Sequence, residues 1–555
     1  MTHPPEPIDS SADPAAARAY LGGRIFTADP AQPWATAMAV RGERVAVVGD
    51  DAAVLAAVPD AVPHDLAGAL VVPGFVDGHF HTFMAGEALG RVDLELAGDL
   101  DAIQSAVAAH ASARGDDEWV LGRGWLFDAV PDRAPTAAML DAVVADRPVM
   151  LDSADYHFTW LNTLGLQRVG IDAQSPDPSG GQIVRDPVTG AATGLLSETA
   201  AGQYAWAPLA ATRSDADRRG HLRAMQEAAH AAGLTGVIDM GLDDLETEVL
   251  AAAADAGWLT LRVVGHYLID RQGTTADHLA RVHRASELAA RHDRGVFRVA
   301  GIKIIVDGTI DGCTAHVSQP YTTGELADPI WGLATLVPVV VAADAAGLQV
   351  ALHAIGDVAV SNALTALAQA RQVNGTSGRR HRIEHIEYMD PADIARFVDL
   401  GVTASMQPVH ADPAIADNWI AMLGEPRGSH GFRWADMVSA GVRLAFGTDA
   451  PTAPFAPLPN LYIAATRRSA LDPSLPVGAG VDQVRPLDES LVHATADAAW
   501  SCFDDADRGR LQPGMLADFV IVDPDVFETP ADALLTARIR QTIVGGRLVH
   551  GSGAS

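Results

Sequence analysis

The sequence predicts an α/β fold: a (β/α)8 TIM barrel, a small β-sandwich domain built from both termini, and a long insertion after barrel strand 1. Three observations predict it. Eight apolar, strand-like runs alternate with helical patterns, both ends of the chain are β-rich, and one gap between runs is too long for a crossover.

Residues 1–18 read as a flexible polar tail. Residues 22–27, 36–40 and 44–48 are β-like runs separated by Gly and Asp, and residues 518–523, 540–544 and 547–550 repeat that character near the other end. The segments 19–70 and 507–555 are therefore expected to meet in one sandwich. Between them, 71–506 is assigned to the barrel. Its strands are placed at 70–76, 235–240, 261–267, 299–306, 348–353, 381–385, 402–407 and 442–447, with helices such as 215–232, 275–291, 357–373 and 391–400 between them. The gap from His81 to Thr235 holds an insertion, about 92–213, with strands of its own at 119–122 and 148–152 and a Gly/Pro-rich turn region at 175–190.

Composition narrows the class. The chain has 555 residues, 48% of them hydrophobic, and 39 Lys and Arg against 70 Asp and Glu, for a net charge of −31. At roughly 150 residues per domain this allows one large barrel with additions, and the apolar fraction excludes a largely disordered chain. Such acidity argues against nucleic acid and anionic membranes as partners. Cys313 and Cys502 cannot make a disulfide scaffold, which fits a reducing cytoplasm. No basic segment followed by an apolar one opens the chain, so no signal peptide is read. The most apolar stretch, 336–353, is broken by Pro338 and Asp344, so no membrane span is read either. The expectation is a soluble cytoplasmic protein acting on a small molecule, with a homodimer as the default assembly.

The chemistry-bearing residues fall at strand ends, where barrels of this kind place their sites. His79 and His81 alternate on the first strand, so both rings point to one face and suit chelation of one metal ion. His353 ends the fifth strand, His385 ends the sixth, and Asp449 follows the eighth. Lys303 is the only lysine in the chain, and it lies inside the apolar fourth strand. There an unpaired ammonium is costly, but an amine can lose its proton and react, which a guanidinium cannot. A Schiff base and a carboxylated lysine are the two uses this suggests.

Together VPGFVDGHFH, GIKIIVDGT, VALHAIGD, HRIEH, SMQPVH and FGTDAP resemble the metal-dependent amidohydrolase superfamily, in the branch that includes N-substituted formamide deformylase. GRGW, RPVMLDSADYHFTWLN and GLLSE extend the resemblance through the insertion. It implies two divalent metal ions, usually zinc. His79, His81 and Asp449 would bind one, His353 and His385 the other, and Lys303, as a CO2-derived carbamate, would bridge them. A Schiff base would leave four histidines and an aspartate without a task. The resemblance further implies attack by a metal-bridging hydroxide on an amide, N-substituted formamide or cyclic amide, with Asp449 as the catalytic general acid/base. Two other activities suit the same barrel. One is heterocycle deamination, which typically uses one metal and a glutamate near the fifth-strand histidine, where this chain has Ala354-Ile355-Gly356-Asp357. The other is ester or lactone hydrolysis.

Five further residues are candidates for contact with substrate. Trp125 and His157 belong to the insertion's aromatic segments, which include Phe127, Tyr156 and Trp160; Tyr321 and Trp331 lie in the loop after the fourth strand, and His316 in the same loop offers a donor to an oxyanion. His410, after the seventh strand, likewise offers a donor to an oxyanion, and Asp77 and Asp307 are read as carboxylates that orient ligands or strand ends.

Overall fold

A computed structural model describes residues 16–113, 119–178, 180–376, 378–416 and 418–551. Eight parallel strands form one sheet in chain order: β1 (Phe75–Phe80), β2 (Leu234–Leu242), β3 (Arg262–Leu268), β4 (Phe297–Ile305), β5 (Gln349–Ala354), β6 (Arg382–His385), β7 (Thr403–Met406) and β8 (Leu444–Phe446). The sheet nearly closes on itself. Beyond β8, Ala450 bridges to Phe80 in parallel, His81 N–H donates to Ala450 O at 3.0 Å, and Asp449 N–H donates to His79 O at 2.8 Å. Glycine makes that approach feasible, because a Cβ on Gly78 would stand 2.6 Å from Phe446 O.

Helices pack around the strands because their apolar faces recur at helical spacing. Leu222, Met225 and Ala229 lie on Asp215–Ala231, Val282, Ala285 and Leu288 on Thr275–Arg291, and Ala363, Leu364 and Leu367 on Asp357–Asn374; all are buried in one continuous core with the strands. Two of these helices start with reciprocal caps, Ser214 with Asp217 and Thr274 with Asp277, which satisfy otherwise orphaned N–H groups. The apolar stretch 336–353 divides between helix Leu333–Ala345 and β5. Among the described residues no helix is long and apolar enough to cross a membrane.

The first barrel strand differs from the expected 70–76. Leu70–Pro73 pairs antiparallel with Phe519–Asp523 and parallel with Arg24–Phe26, outside the barrel, and β1 begins after Gly74. Pro73 has no N–H to donate, and Gly74 N–H is held by Asp518 O at 2.9 Å, so the chain leaves one sheet and enters the next at this dipeptide. That outer sheet also contains Trp34–Ala35, Arg538–Val544 and Arg547–His550. A second sheet of Arg18–Leu21, Ala37–Arg41, Arg44–Gly49 and Val62–Asp65 shares with it a core of Tyr20, Ile25, Met38, Val71, Phe519 and Ile543.

The long connection after β1 carries a six-stranded mixed sheet of Val92–Asp93, Val120–Trp125, Val149–Ser153, Phe158–Leu161, Ala192–Glu198 and Gly181–Arg185. The last of these lies inside the region expected to be turn. Trp125, Trp160, Leu140 and Leu151 form its interior, and its Ser153–His157 turn faces the open end of the barrel.

Candidate metal centre

His79 and His81 leave the end of β1 on the same face and meet Asp449 from beyond β8. Asp449 Oδ1 lies 3.1 Å from His79 Nε2 and 3.2 Å from His81 Nε2, yet it is buried and has no aligned hydrogen bond. Ligand atoms around a tetrahedral zinc, each ~2.0–2.1 Å from the ion, lie about 3.3 Å from one another. Two of the three separations match that spacing, all three donor atoms lie within 4.8 Å of one another, and Asp449 Oδ1 lacks an aligned protein partner. The site therefore fits a divalent ion held by two imidazole nitrogens and a carboxylate oxygen.

The remaining candidates converge on the same point. Lys303 Nζ is 3.2 Å from His79 Nε2, and the residue is 2% exposed. Burial lowers its pKa to about 8, so a minor but reactive share of the amine is neutral near neutral pH, far more than for an exposed lysine. The His385 ring lies 4.8 Å from that of His79 and 4.5 Å from that of His353, and its Nδ1 is 4.0 Å from Asp449 Oδ2. His385 Nδ1 is buried without a hydrogen-bond partner. Burial, reinforced by neighbouring cationic groups, holds both His353 and His385 well below the ordinary imidazole range, keeping their nitrogens free as ligands. All six ligand candidates thus gather at the open end of the barrel.

Sequence reasoning missed Glu384 and Arg382, which orient the His79 ring. Glu384 Oε2 bonds His79 Nδ1 at 2.7 Å, which fixes the ring with Nε2 toward Asp449 and Lys303. Arg382 binds both Glu384 oxygens, at 2.5 and 3.0 Å, and also reaches Gly78 O. Despite burial, Arg382 and His79 hold the Glu384 carboxyl well below the usual range. The motif HRIEH contains this glutamate, but strict strand alternation puts neighbours 384 and 385 on opposite faces. His385 and Ile386 take positive φ, 74° and 53°, which breaks the alternation and brings both side chains to the centre. Replacing Glu384 with glutamine is expected to weaken metal binding by about 10–100-fold, measured by competition with a chelator.

Asp77 and Asp307 work as braces. Asp77 accepts from His79 N–H, Thr448 N–H and Thr448 Oγ1, which ties β1 to the loop carrying Asp449. Asp307 accepts from His316, Ile355 and Gly356 N–H, holding the loop after β4 against the end of β5; burial pushes its carboxyl up to about 7.

A cavity of about 160 Å³ opens on His353, His385 and Asp449. Trp125 and His157 line it, as does His410, the oxyanion-donor candidate that follows β7. Glu387 bonds His410 Nδ1 at 2.9 Å. His157 Nδ1 is 2.7 Å from Glu198 Oε2, and its ring is 5.4 Å from that of His353. Burial opposes a charge on His157, but the Glu198 carboxylate outweighs it and pushes the imidazole up to about 9. His316, Tyr321 and Trp331 lie elsewhere and do not line the cavity. The Tyr321 hydroxyl donates to Ala315 O at 2.8 Å, and Trp331 packs on His278 with ring centroids 4.6 Å apart. The His316 N–H donates to Asp307 Oδ2 at 2.9 Å, and its Nδ1 is buried without a partner. These three follow β4 in sequence, but the loop folds back into the helix layer, where burying large rings is favourable.

Eight parallel strands with ligand-type side chains at their ends define a metal-binding α/β barrel. The chain belongs to the amidohydrolase family, whose sequence model matches residues 64–550. Protein LONG AFTER FAR-RED 3 of Arabidopsis thaliana is 30% identical over 546 residues, covering 95% of this chain and 90% of that protein. N-substituted formamide deformylase of Arthrobacter pascens is 28% identical over 557 residues, covering 95% and 97%. Among solved structures, an uncharacterized metal-dependent hydrolase of Pyrococcus furiosus superposes with a TM-score of 0.71 at 26% identity, covering 92% of this chain and 99% of that one.

Proposed function

We propose that the protein is a metal-dependent hydrolase that cleaves the C–N bond of an amide, N-substituted formamide or cyclic amide. The observation that carries the reading is the buried, unpartnered Asp449 Oδ1 beside His79 and His81 Nε2, with the lone lysine of the chain 3.2 Å from His79. His79, His81 and Asp449 would hold one ion, His353 and His385 a second, and Lys303 would span the two as a carbamate. Imidazole and carboxylate donors suit zinc, and Mn, Co or Fe accept a similar set. Ions bound there lower the pKa of a water toward ~7 and polarise a carbonyl.

The chain's own residues supply the rest. Asp449 accepts the proton of the attacking water and passes it to the nitrogen as the C–N bond breaks; an amide nitrogen leaves poorly unless protonated. Glu384 and Asp77 keep His79 and the Asp449 loop in register during that transfer. Trp125 and the insertion exclude bulk water from one side of the cavity. The −31 net charge disfavours nucleic acid or an anionic membrane as partner.

The test is a hydrolysis screen of N-formyl amines, acyl amides and cyclic imides with metal-loaded protein, using esters and lactones as the comparison set. Release of amine from at least one N-acyl class is the expected result. Turnover of esters or lactones alone would favour ester hydrolysis. Ammonia release from amino-heterocycles alone would favour the deaminase reading.

A further inference from the structure

The insertion places a histidine–carboxylate pair directly over the ligand cluster. We propose that His157, oriented by Glu198, is a catalytic residue that donates from Nε2 to the acyl oxygen of the substrate as it becomes a tetrahedral oxyanion. This rests on the hydrolase reading of the same cavity.

His157 differs from the other histidine–carboxylate pair of the cavity, His410 with Glu387, because His410 Nε2 already meets Thr452 Oγ1 at 3.3 Å. The His157 Nδ1–H donates to Glu198 Oε2 at 2.7 Å; paired with that carboxylate the ring acts as an imidazolium, whose Nε2–H is left to donate, and it lines the cavity 5.4 Å from the His353 ring. The pair is built from two separate strands' ends. His157 precedes Phe158–Leu161, Glu198 closes Ala192–Glu198, and Glu198 N–H donates to His157 O at 2.7 Å. Glu198 also takes a left-handed backbone, φ 52°, which is costly for a side chain of its size and persists only where the surroundings enforce it.

The same turn is clamped to the barrel. Asp155 accepts from His157 N–H at 3.1 Å and from Thr309 Oγ1 at 2.7 Å, which joins the insertion to the loop after β4. Beside that link, Glu198 Oε1 nests against Gly308, where any Cβ would run into it and into Thr314 Oγ1. Gly308 O in turn lies 3.4 Å from His353 Nε2. A donor held through so many contacts needs little reorganisation when negative charge develops on the substrate, and a preorganised donor of this kind contributes about 10²–10³-fold to turnover. Glu198 is a positioning residue: it fixes the ring and keeps Nε2 aimed at the cavity.

The experiment compares metal-loaded wild type, His157→Gln and Glu198→Gln on formanilide and phenyl formate, which share an acyl group and differ in leaving group. It also measures the Kd of each protein for methylphosphonate, a tetrahedral oxyanion, together with metal content and melting temperature. The expected result is a loss of about 10²–10³-fold in kcat on both substrates for His157→Gln, a smaller loss for Glu198→Gln, and at least a tenfold weaker Kd for methylphosphonate in both. Metal content and melting temperature stay unchanged. A kcat loss confined to formanilide would overturn the oxyanion role in favour of proton delivery to nitrogen, and unchanged kcat and Kd, or a loss that tracks metal content, would overturn the proposal outright. If wild type turns over neither substrate but the Kd difference appears, the donor stands and the choice of amide substrate falls. Absence of both turnover and phosphonate binding would overturn both readings.

Discussion

Lys303→Arg is expected to lose the bridged metal ion and turnover, although a cation is kept at the position. The lysine Nζ sits in a fully packed strand, 3.2 Å from His79 Nε2, with burial already pulling its pKa to about 8. A neutral amine can react with carbon dioxide to give an anion with two oxygens, able to span two cations. A guanidinium stays protonated, cannot form that anion, and would add an unpaired buried charge beside the histidines. Metal content is expected to fall to one ion or none per chain, with turnover down by more than about 100-fold, a larger loss than that of a merely orienting residue. Lys303→Met, which keeps most of the length without the charge, is expected to show the same losses. A metal-replete, fully active Lys303→Arg protein would remove the carbamate from the account.

Asp449→Asn separates binding from proton transfer. The amide keeps an oxygen in place of Oδ1, so the position beside His79 and His81 retains a neutral donor, and the loop remains braced by Asp77 through Thr448. It cannot accept and return a proton. Metal content is expected to stay largely intact while kcat falls by about 10²–10⁴-fold, the contribution typical of a positioned acid–base group. Near-normal turnover in a metal-loaded Asp449→Asn protein would take Asp449 out of the proton path.

Much of this was legible because the same residues that pattern the fold also carry the chemistry. Alternation of apolar runs with helical periodicity located the strands, and ligand-type side chains at the ends of several runs pointed to a metal centre. The lone lysine stood out because composition made it an exception. What could not be read was set by departures from regular backbone. His385 and Asp449 adopt left-handed conformations, φ 74° and 60°, so no strand pattern foretold that Glu384 would reach His79. The split at Pro73–Gly74 moved the first strand by several residues. His316, Tyr321 and Trp331 sit in a loop whose path back into the helix layer depends on tertiary packing rather than on sequence position. His157 was visible as a candidate, but its partner Glu198 lies 41 residues away and joins it only through the antiparallel pairing of the insertion sheet.

The most direct measurement is the diffraction of crystals of metal-loaded protein at the metal absorption edge. The account predicts two anomalous peaks at the open end of the barrel: one about 2.0–2.2 Å from His79 Nε2, His81 Nε2 and an Asp449 oxygen, the other beside His353 and His385, with continuous density from Lys303 reaching both. A single peak with a bare lysine side chain, or ions bound only away from these histidines, would contradict it.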